Sequence, residues 1–180
     1  MRQLVYGVAA SLDGFITGPK GEHEWIVPDS GIDFRAIYSR FDTGLMGRRT
    51  YEVASTRGDL LQSMGMRIVV VSTTLDPAHL PGMTVIGDAV AEAVRALKAE
   101  TGKDIWLFGG SLLFRSLLDL ALVDAIEVSV FPVLLGSGTP LLGEGHRASL
   151  KLESCKPLPS GVLMLSYSIC TPQLRQLPTE

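Results

Sequence analysis

The stretch DIWLFGGSLLFRSLLDL, residues 104–120, contains the unit on which the fold is built. Its apolar beginning, residues 104–108, predicts a buried strand, and Gly109-Gly110 predicts a turn. Residues 111–120 then predict a helix. A strand that passes through glycines directly into a helix is typical of proteins in which helices cover a parallel sheet.

The same alternation of strands and helices continues on both sides of this unit. Residues 4–10 predict a strand buried on both faces, because the run is apolar almost without interruption. Residues 148–156 and 162–170 predict an antiparallel hairpin, since a tight turn joins them. Further strands are predicted at 44–46, 68–71, 83–86 and 125–131, and helices at 33–40, at 48–54 and from an N-cap at Asp88 to Gly102.

These elements predict an α/β fold of three layers, α/β/α, whose central sheet is mostly parallel and ends in an antiparallel C-terminal hairpin. The length of 180 residues, of which 46% are hydrophobic, fits one domain with a large core. We therefore expect a single domain over residues 1–171, followed by a polar, proline-containing tail at residues 172–180.

Charge and hydropathy exclude two classes of partner. The formal net charge is −3, and no basic patch of the kind that binds nucleic acid stands out in the sequence. No apolar run reaches the length of about 18 residues that a membrane span needs. The apolar residues 4–10 resemble a very short signal peptide, but a buried strand explains them better, so we expect a cytoplasmic protein.

The cysteines and histidines indicate neither a disulfide nor a metal site. Cys155 and Cys170 fall in the predicted hairpin but not opposite each other, and two free thiols are the default in a reducing compartment. The three histidines are far apart and match no metal motif. The phosphate-loop, nucleophile-elbow and GxGxxG signatures are absent as well.

The first candidate site is the segment Met46 to Tyr51, MGRRTY, at a predicted strand-to-helix junction. Gly47 lets a ligand approach the backbone, and the helix that follows begins with unpaired N–H groups. Arg48, Arg49 and Thr50 then surround the same point, which suits a pyrophosphate. The alternative is a charged first helical turn whose arginines are simply solvated.

Two further segments end strands of the same predicted sheet. Gly109 to Leu112 offers a second set of backbone N–H donors at a helix start, although a plain tight turn explains the two glycines nearly as well. Ser72 and Thr73 offer hydroxyls to a ribose or its phosphate, or else they cap a turn. Ligands of open α/β sheets bind at the carboxyl ends of the strands, where all three segments are predicted to lie.

Taken together, these motifs resemble the dihydrofolate-reductase-like superfamily, and most of all the C-terminal reductase domain of the bacterial riboflavin-biosynthesis deaminase/reductase. The resemblance runs from about residue 3 to residue 169. It depends on the order and spacing of five segments: SLDGFI at 11–16, MGRRTYE at 46–52, VVS at 70–72, FGG at 108–110 and PVLLGSG at 132–138.

The resemblance implies a dihydrofolate-reductase-like fold and a reductase that uses NADPH. It implies that Ala9 lines the nicotinamide pocket and that the loops at 13–14 and 136–138 border the substrate. The phosphates would be held by Gly47, Arg48, Arg49 and Thr50 and by Gly109, Gly110, Ser111 and Leu112, with Ser72 and Thr73 near the adenosine ribose.

Two positions depart from the family pattern. Many relatives carry arginine at Thr73 to pair with the 2′-phosphate of NADPH, so Arg48 or Arg49 would have to supply that charge here. The folate enzymes carry a carboxylate where this chain has Ser30, between Asp29 and Asp33. Without a carboxylate placed there for a pterin ring, we do not expect folate reduction.

The main functional hypothesis is hydride transfer to a C=N or C=O of a small heterocyclic or sugar-derived substrate. Asp13, Asp29 and Asp33 are the candidate proton donors, and each has an ordinary explanation as a turn, loop or helix-start residue. Trp25 and Phe15 either stack on a planar substrate or form an apolar lid.

The alternative hypothesis is a non-catalytic nucleotide-binding or regulatory module on the same fold, since a fold does not fix a function. In either case we expect a homodimer that pairs through Val128, Val130 and the alternating C-terminal strands.

Overall fold

The computed structural model describes residues 1–58, 60–80 and 82–170, and the predicted tail at 172–180 lies outside them. Between residues 34 and 131 helical segments separate the strands, and the described chain has one 3₁₀ turn, Pro77–His79. The helices are α1 Phe34–Tyr38, α2 Arg48–Ser55, α3 Leu60–Ser63, α4 Val90–Ala99 and α5 Ser111–Asp119. The strands are β1 Leu4–Ser11, β2 Phe15–Thr17, β3 Phe41–Gly47, β4 Arg67–Val71, β5 Thr84–Ile86, β6 Asp104–Gly109, β7 Ala125–Phe131, β8 Thr139–Pro140, β9 Ser149–Pro157 and β10 Leu163–Cys170.

The central sheet of the described chain has eight strands in the order β5-β4-β3-β6-β1-β7-β10-β9. Every pair from β5 through to β7 is parallel, and β10 is antiparallel to both of its neighbours. The prediction of a mostly parallel α/β sheet with an antiparallel C-terminal hairpin is therefore confirmed.

A small second sheet joins β2 to β8. The sequence pattern predicts a loop at residues 132–140, but β8 occupies the last two of these positions. A strand of two residues is too short to show the alternation of apolar and polar side chains by which strands are predicted.

β1 shows why helices cover both faces of the large sheet. Leu4 and Tyr6 are fully buried against residues of α4 and α5, and the Tyr6 ring stacks on Phe114 with centroids 4.0 Å apart. Val5 belongs to a second core together with residues of α2 and α3. Alternate residues of a strand point to opposite faces, so the two helix pairs form the outer layers of a three-layer structure.

Two buried cations, Arg2 and Lys98, lie at the amino ends of the parallel strands. Arg2 pairs with Asp42 and Glu100, and Lys98 Nζ lies 2.6 Å from Asp124 Oδ2. Buried charges are tolerated when they are paired in this way. These ion pairs occupy the amino edge, and the candidate segments at Gly47, Ser72 and Gly109 lie at the opposite, carboxyl edge.

Two local predictions are wrong or incomplete. Ala89, with φ of 52°, takes the N-cap position of α4, so Asp88 lies one residue too early to be the cap. The helix predicted at residues 33–40 ends at Tyr38, because Phe41 is already buried as the first residue of β3.

The hairpin register keeps the two cysteines apart, as predicted. Cys155 lies opposite Leu165 and Cys170 opposite Ser149, and both thiols are free and exposed. Among the described residues, none of the helices combines the length and the apolar character that crossing a bilayer requires.

We predict that Gly7→Ala destabilises the fold. A Cβ at Gly7 would lie 2.2 Å from Nε1 of the buried Trp106, whereas a Cβ at Gly87 would lie 3.7 Å from its nearest neighbour. Overpacking of this kind costs about 1–3 kcal/mol. Urea unfolding should show that loss for Gly7→Ala and much less for the control Gly87→Ala; equal stability of the two variants would contradict this packing.

Candidate active site

Two helices begin side by side at the carboxyl edge of the sheet. β3 and β6 are neighbours, and Met46 of β3 pairs with Gly109 of β6. Gly47 is the N-cap of α2 and Gly110 the N-cap of α5, and neither makes a side-chain cap hydrogen bond. The first N–H groups of both helices are therefore left for a ligand or water, and both positive dipole ends lie at one edge.

The glycines keep the space between the two turns open. A Cβ on Gly47 would lie 3.8 Å from the Gly110 nitrogen, and a Cβ on Gly110 would lie 3.3 Å from Thr50 Oγ1. Gly109 has φ of 137°, which L side chains rarely adopt. Glycine is therefore required at Gly109 by its backbone angle and favoured at Gly110 by the contact with Thr50, whereas a Cβ on Gly47 would make only ordinary van der Waals contact.

Two arginines flank this gap on the first turn of α2. Arg48 makes an exposed ion pair with Glu52 at 3.1 Å, and Arg49 is exposed and has no ion-pair partner among the described residues. Exposed pairs of this kind contribute about 0–1 kcal/mol. Both guanidinium groups are therefore available to an anion at little cost.

Ser72 follows β4, the strand next to β3, and its hydroxyl caps a turn. Ser72 Oγ accepts hydrogen bonds from the Thr74 and Leu75 nitrogens at 3.1 and 3.0 Å. Thr73 is exposed beside it. Neither residue is among those that line the main cleft, and their contact with a ribose stays a prediction.

A cleft of approximately 1930 Å³ extends from the two turns along the sheet. Its lining includes Ala9 of β1, both helix openings from Gly47 to Thr50 and from Gly109 to Leu112, and Asp33. An aromatic wall, made of Tyr38, Trp106 and Phe108, borders it. Two helix N-termini, an apolar wall and polar side chains are thus combined in one groove, as in small-molecule sites generally.

Asp13 connects the loop after β1 to the loop after β7 by hydrogen bonds. Its carboxylate accepts hydrogen bonds from the Ser11 hydroxyl at 2.6 Å and from the Gly136 nitrogen at 2.7 Å, and also from the Leu135 nitrogen. The bond from Ser11, and then that from Gly136, lowers the pKa of Asp13. A carboxyl group held ionised in this way is a poor proton donor, and its role as an acid stays a prediction.

Asp29 and Asp33 also have structural partners. Asp29 accepts from the Ser160 hydroxyl and the Gly31 nitrogen, and these bonds, Ser160 first, lower its pKa. Asp33 caps α1 by accepting from the Ala36 nitrogen at 2.9 Å. Of the three candidate acids, Asp33 alone is among the residues that line the cleft.

The two aromatic residues proposed for stacking lie outside the cleft lining. Trp25 packs edge-on against Phe131, with centroids 5.7 Å apart, beside a smaller cavity of approximately 530 Å³. Phe15 lies in β2 opposite Pro140. Trp106, which the sequence analysis did not single out, lines the cleft instead.

Arg40 and Glu127 form an ion pair in the cleft that no sequence motif indicates. They are 87 residues apart, so no local motif connects them. One signal was present, because Glu127 is the charged residue of the strand AIEVSVF. Among the described residues, no cluster of three or more His, Cys, Asp or Glu is placed to hold a metal ion.

The chain is similar to a known protein family and to proteins of Bacillus subtilis (strain 168). The sequence model of the RibD C-terminal domain matches residues 2–164. The chain is 31% identical over 177 residues to YyaP of Bacillus subtilis (strain 168), a protein that is itself uncharacterized; the alignment covers 92% of this chain and 94% of YyaP.

Solved structures show the same fold. A protein of Shewanella sp. PV-4, provisionally assigned to riboflavin biosynthesis, has a TM-score of 0.81 at 25% identity, covering 94% of this chain and 99% of that one. Dihydrofolate reductase from Enterococcus faecalis has a TM-score of 0.66 at 18% identity, covering 93% of this chain and 94% of that one. The dihydrofolate-reductase-like fold is therefore confirmed.

We predict that Asp13→Asn loosens the loop at Leu135 and Gly136, because an amide accepts these hydrogen bonds more weakly than a carboxylate. The pKa of Asp13 is lowered, so the stabilisation is fully present above the ordinary pKa of aspartate and is lost as the pH falls through the lowered value. Hydrogen-exchange protection of the two amides should fall in the variant at neutral pH, and in the wild type only in acid.

Asp29→Asn is the matched control, because Asp29 holds Gly31 and Ser160 but neither of these two amides. Unchanged protection of Leu135 and Gly136 in Asp13→Asn would show that the carboxylate does not fasten the loops.

Proposed function

We propose that this chain, which belongs to the RibD C-terminal domain family, is an NADPH-dependent reductase. Its substrate is a small heterocyclic or sugar-derived molecule, and the hydride is delivered to a C=N or C=O bond. The family and the fold support a reductase-type function, and the geometry of the cleft supports the cofactor and the class of substrate.

The observation that carries this proposal is the meeting of two uncapped helix N-termini at Gly47 and Gly110. Unpaired N–H groups at positive dipole ends bind phosphates. Two such ends close together suit a diphosphate better than a single phosphate. Charge-assisted hydrogen bonds contribute about 1.5–3 kcal/mol each, and micromolar affinity needs about 8 kcal/mol, so a few contacts at this edge suffice.

The residues present fit a nicotinamide dinucleotide. Gly47, Gly109 and Gly110 carry no side chains, and Arg48 and Arg49, on the first turn of α2, line the same cleft. One of these arginines would pair with a 2′-phosphate, a task that Thr73 cannot perform.

Ala9 lines the cleft one strand away from the second turn, since β1 is the neighbour of β6. Its small side chain leaves room for a flat ring. When bound, the cofactor supplies the hydride. The aromatic wall excludes water, and Asp33, on the cleft surface, is the proposed source of the proton.

The proposal is tested by titrating the purified protein with NADPH and following the nucleotide fluorescence. A panel of carbonyl, imine and pteridine compounds is then screened for substrate-dependent loss of NADPH absorbance. We expect binding together with turnover of at least one compound. Binding without turnover across the panel would favour the non-catalytic nucleotide-binding module, and absence of binding would overturn both proposals.

We predict that Arg49→Gln raises the Kd for NADPH by about tenfold or more, because a charge-assisted hydrogen bond to phosphate is lost. Arg95→Gln on α4 is the control, since Arg95 is also exposed but is not among the residues that line the cleft. Fluorescence titration measures both constants, and equal values for the two variants would place the phosphates elsewhere.

We also propose that the protein is a cytoplasmic homodimer. The expected pairing through Val128 and Val130 is wrong, because β7 is an inner strand and Val128 is buried in the core, so the proposed interface uses β9 and β10. Leu150 and Leu152 lie opposite Ile169 and Tyr167, and the two leucines are 43% and 52% exposed. Cross-strand neighbours share a face, so these side chains form one apolar patch on the edge hairpin. The exposed cysteines of these strands would remain reduced in the cytoplasm.

Leu152→Asp is expected to convert the dimer to a monomer, because it places a charge in the apolar patch. Light scattering after size-exclusion chromatography measures the mass, and Lys151→Ala on the same strand is the control. A wild-type protein that is monomeric at micromolar concentration would contradict the proposed dimer.

A further inference from the structure

The residues that line the cleft lie on both faces of the sheet. β1 and β7 form seven consecutive residue pairs, so their hydrogen-bonded backbones separate the two faces. Gly7 and Glu127 line the cleft on the face that α2 covers. Val8 and Val128 line it on the face that α5 covers, because alternate residues of a strand point to opposite faces. The cleft therefore has two compartments, and the nicotinamide position proposed at Ala9 belongs to the first.

The second compartment has an apolar floor. Val8 lies opposite Val128, and Val128 lies opposite Leu165, so three side chains form one row across β1, β7 and β10. The row is about 10 Å wide, since neighbouring strands lie about 4.8 Å apart. Val8 and Leu165 are half-buried, so the helices leave part of this row open to a ligand. We call the space above the row formed by Val8, Val128 and Leu165 the α5-side compartment.

Arg115 of α5 and Gly143 border the α5-side compartment. Both residues line the cleft, together with Ile16 of β2, which packs against the core on the same face. A Cβ on Gly143 would collide with the guanidinium group of Arg115. Gly143 is not among the glycines with a positive φ, so the contact with Arg115, rather than the backbone conformation, explains why it has no side chain. The guanidinium group is therefore packed across the border of the compartment.

Arg115 is a half-buried cation that has no ion pair or hydrogen bond with the described residues. Asp119, four residues further along α5, is in the position of a helical ion-pair partner, but its carboxylate lies 2.8 Å from His146 Nδ1 instead. The two acidic residues among those that line the cleft belong to the other compartment: Glu127 faces it, and Asp33 caps α1, which packs on that face. Since partly buried charges are stabilised by an opposite charge, this cation favours an anionic ligand.

A second hydrogen-bond donor on this face also has no partner. Tyr6, two residues before Val8 on β1, is fully buried, and its hydroxyl makes no hydrogen bond with the described residues. Burial raises the pKa of Tyr6, so the hydroxyl keeps its proton at neutral pH. A guanidinium group has donors only, and a protonated phenol has a donor as well. The unpaired polar groups on this face therefore favour a ligand with acceptor atoms.

We propose that the α5-side compartment binds a small carboxylate with an aliphatic body, such as a medium-chain fatty acid. The carboxylate pairs with Arg115, because a guanidinium group matches a carboxylate with two parallel N–H donors. The hydrocarbon part lies on the row formed by Val8, Val128 and Leu165, where it is removed from water. This site is separate from the proposed cofactor site, since Ala9 lies on the other face of the sheet, and it does not depend on the reductase function.

The probe is octanoate, which is titrated into the full chain and followed by NMR. We expect the methyl resonances of Val8, Val128 and Leu165 to shift together and to follow one Kd. Arg115→Gln should raise this Kd by about tenfold or more, because a charge-assisted hydrogen bond is lost. Arg95→Gln is the control and should leave the Kd unchanged, since Arg95 is exposed on α4 and is not among the residues that line the cleft.

Two further ligands separate the contributions of the charge and of the chain. Octanol has the same chain without the charge, so its affinity should be the same in the wild type and in Arg115→Gln. Inorganic phosphate has the charge without the chain, so it should not shift the three methyl resonances. Saturation with NADPH should leave the Kd for octanoate unchanged, because the two sites lie on different faces of the sheet.

Absence of octanoate binding, or equal Kd values for the wild type and Arg115→Gln, would overturn the inference. Shifts confined to the face of Ala9 and Glu127, or competition between octanoate and NADPH, would overturn it as well. Urea unfolding checks that Arg115→Gln is folded; should it not fold, the position of the shifts in the wild type decides the question. Failure to bind NADPH would remove the proposed reductase function while the octanoate result still judges the α5-side compartment.

Discussion

The close approach of two strand-to-helix turns, at Gly47 and at Gly109-Gly110, is the constraint on which the rest of this molecule depends. β3 and β6 are neighbours in the sheet, so their carboxyl ends place α2 and α5 side by side. The backbone N–H groups of both helix starts then lie close together, with the Thr50 side chain beside Gly109 and Gly110. A site of this kind needs little beyond the glycines, because the donors belong to the backbone.

The remaining features of the cleft follow from the strand order. β1 lies between β6 and β7, so Ala9 is close to the second turn on one side and to Ser129 on the other. The two helix openings and the Arg40–Glu127 ion pair thus lie on opposite sides of β1. The loops beyond β1 and β7 meet where Asp13 accepts hydrogen bonds from Leu135 and Gly136.

The fold and the two helix starts at Gly47 and Gly110 are predictable from the sequence because their signals are local. A buried strand, a glycine turn and an apolar helix follow each other within the 17 residues from 104 to 120, and the same pattern recurs around Gly47. The polar partners are not predictable in this way. Asp13 meets Gly136 across 123 residues and Arg40 meets Glu127 across 87, and neither pair leaves a short motif. The N-cap of α4 was missed because Ala89 adopts a conformation rare for alanine.

The most direct test of the account is an NMR titration of the amides from Gly47 to Thr50 and from Gly109 to Leu112 with NADPH. If both helix openings hold the same diphosphate, the resonances of both segments shift together and follow one Kd. Shifts confined to one segment, or shifts that follow two different constants, would contradict a shared site and with it the proposed reductase.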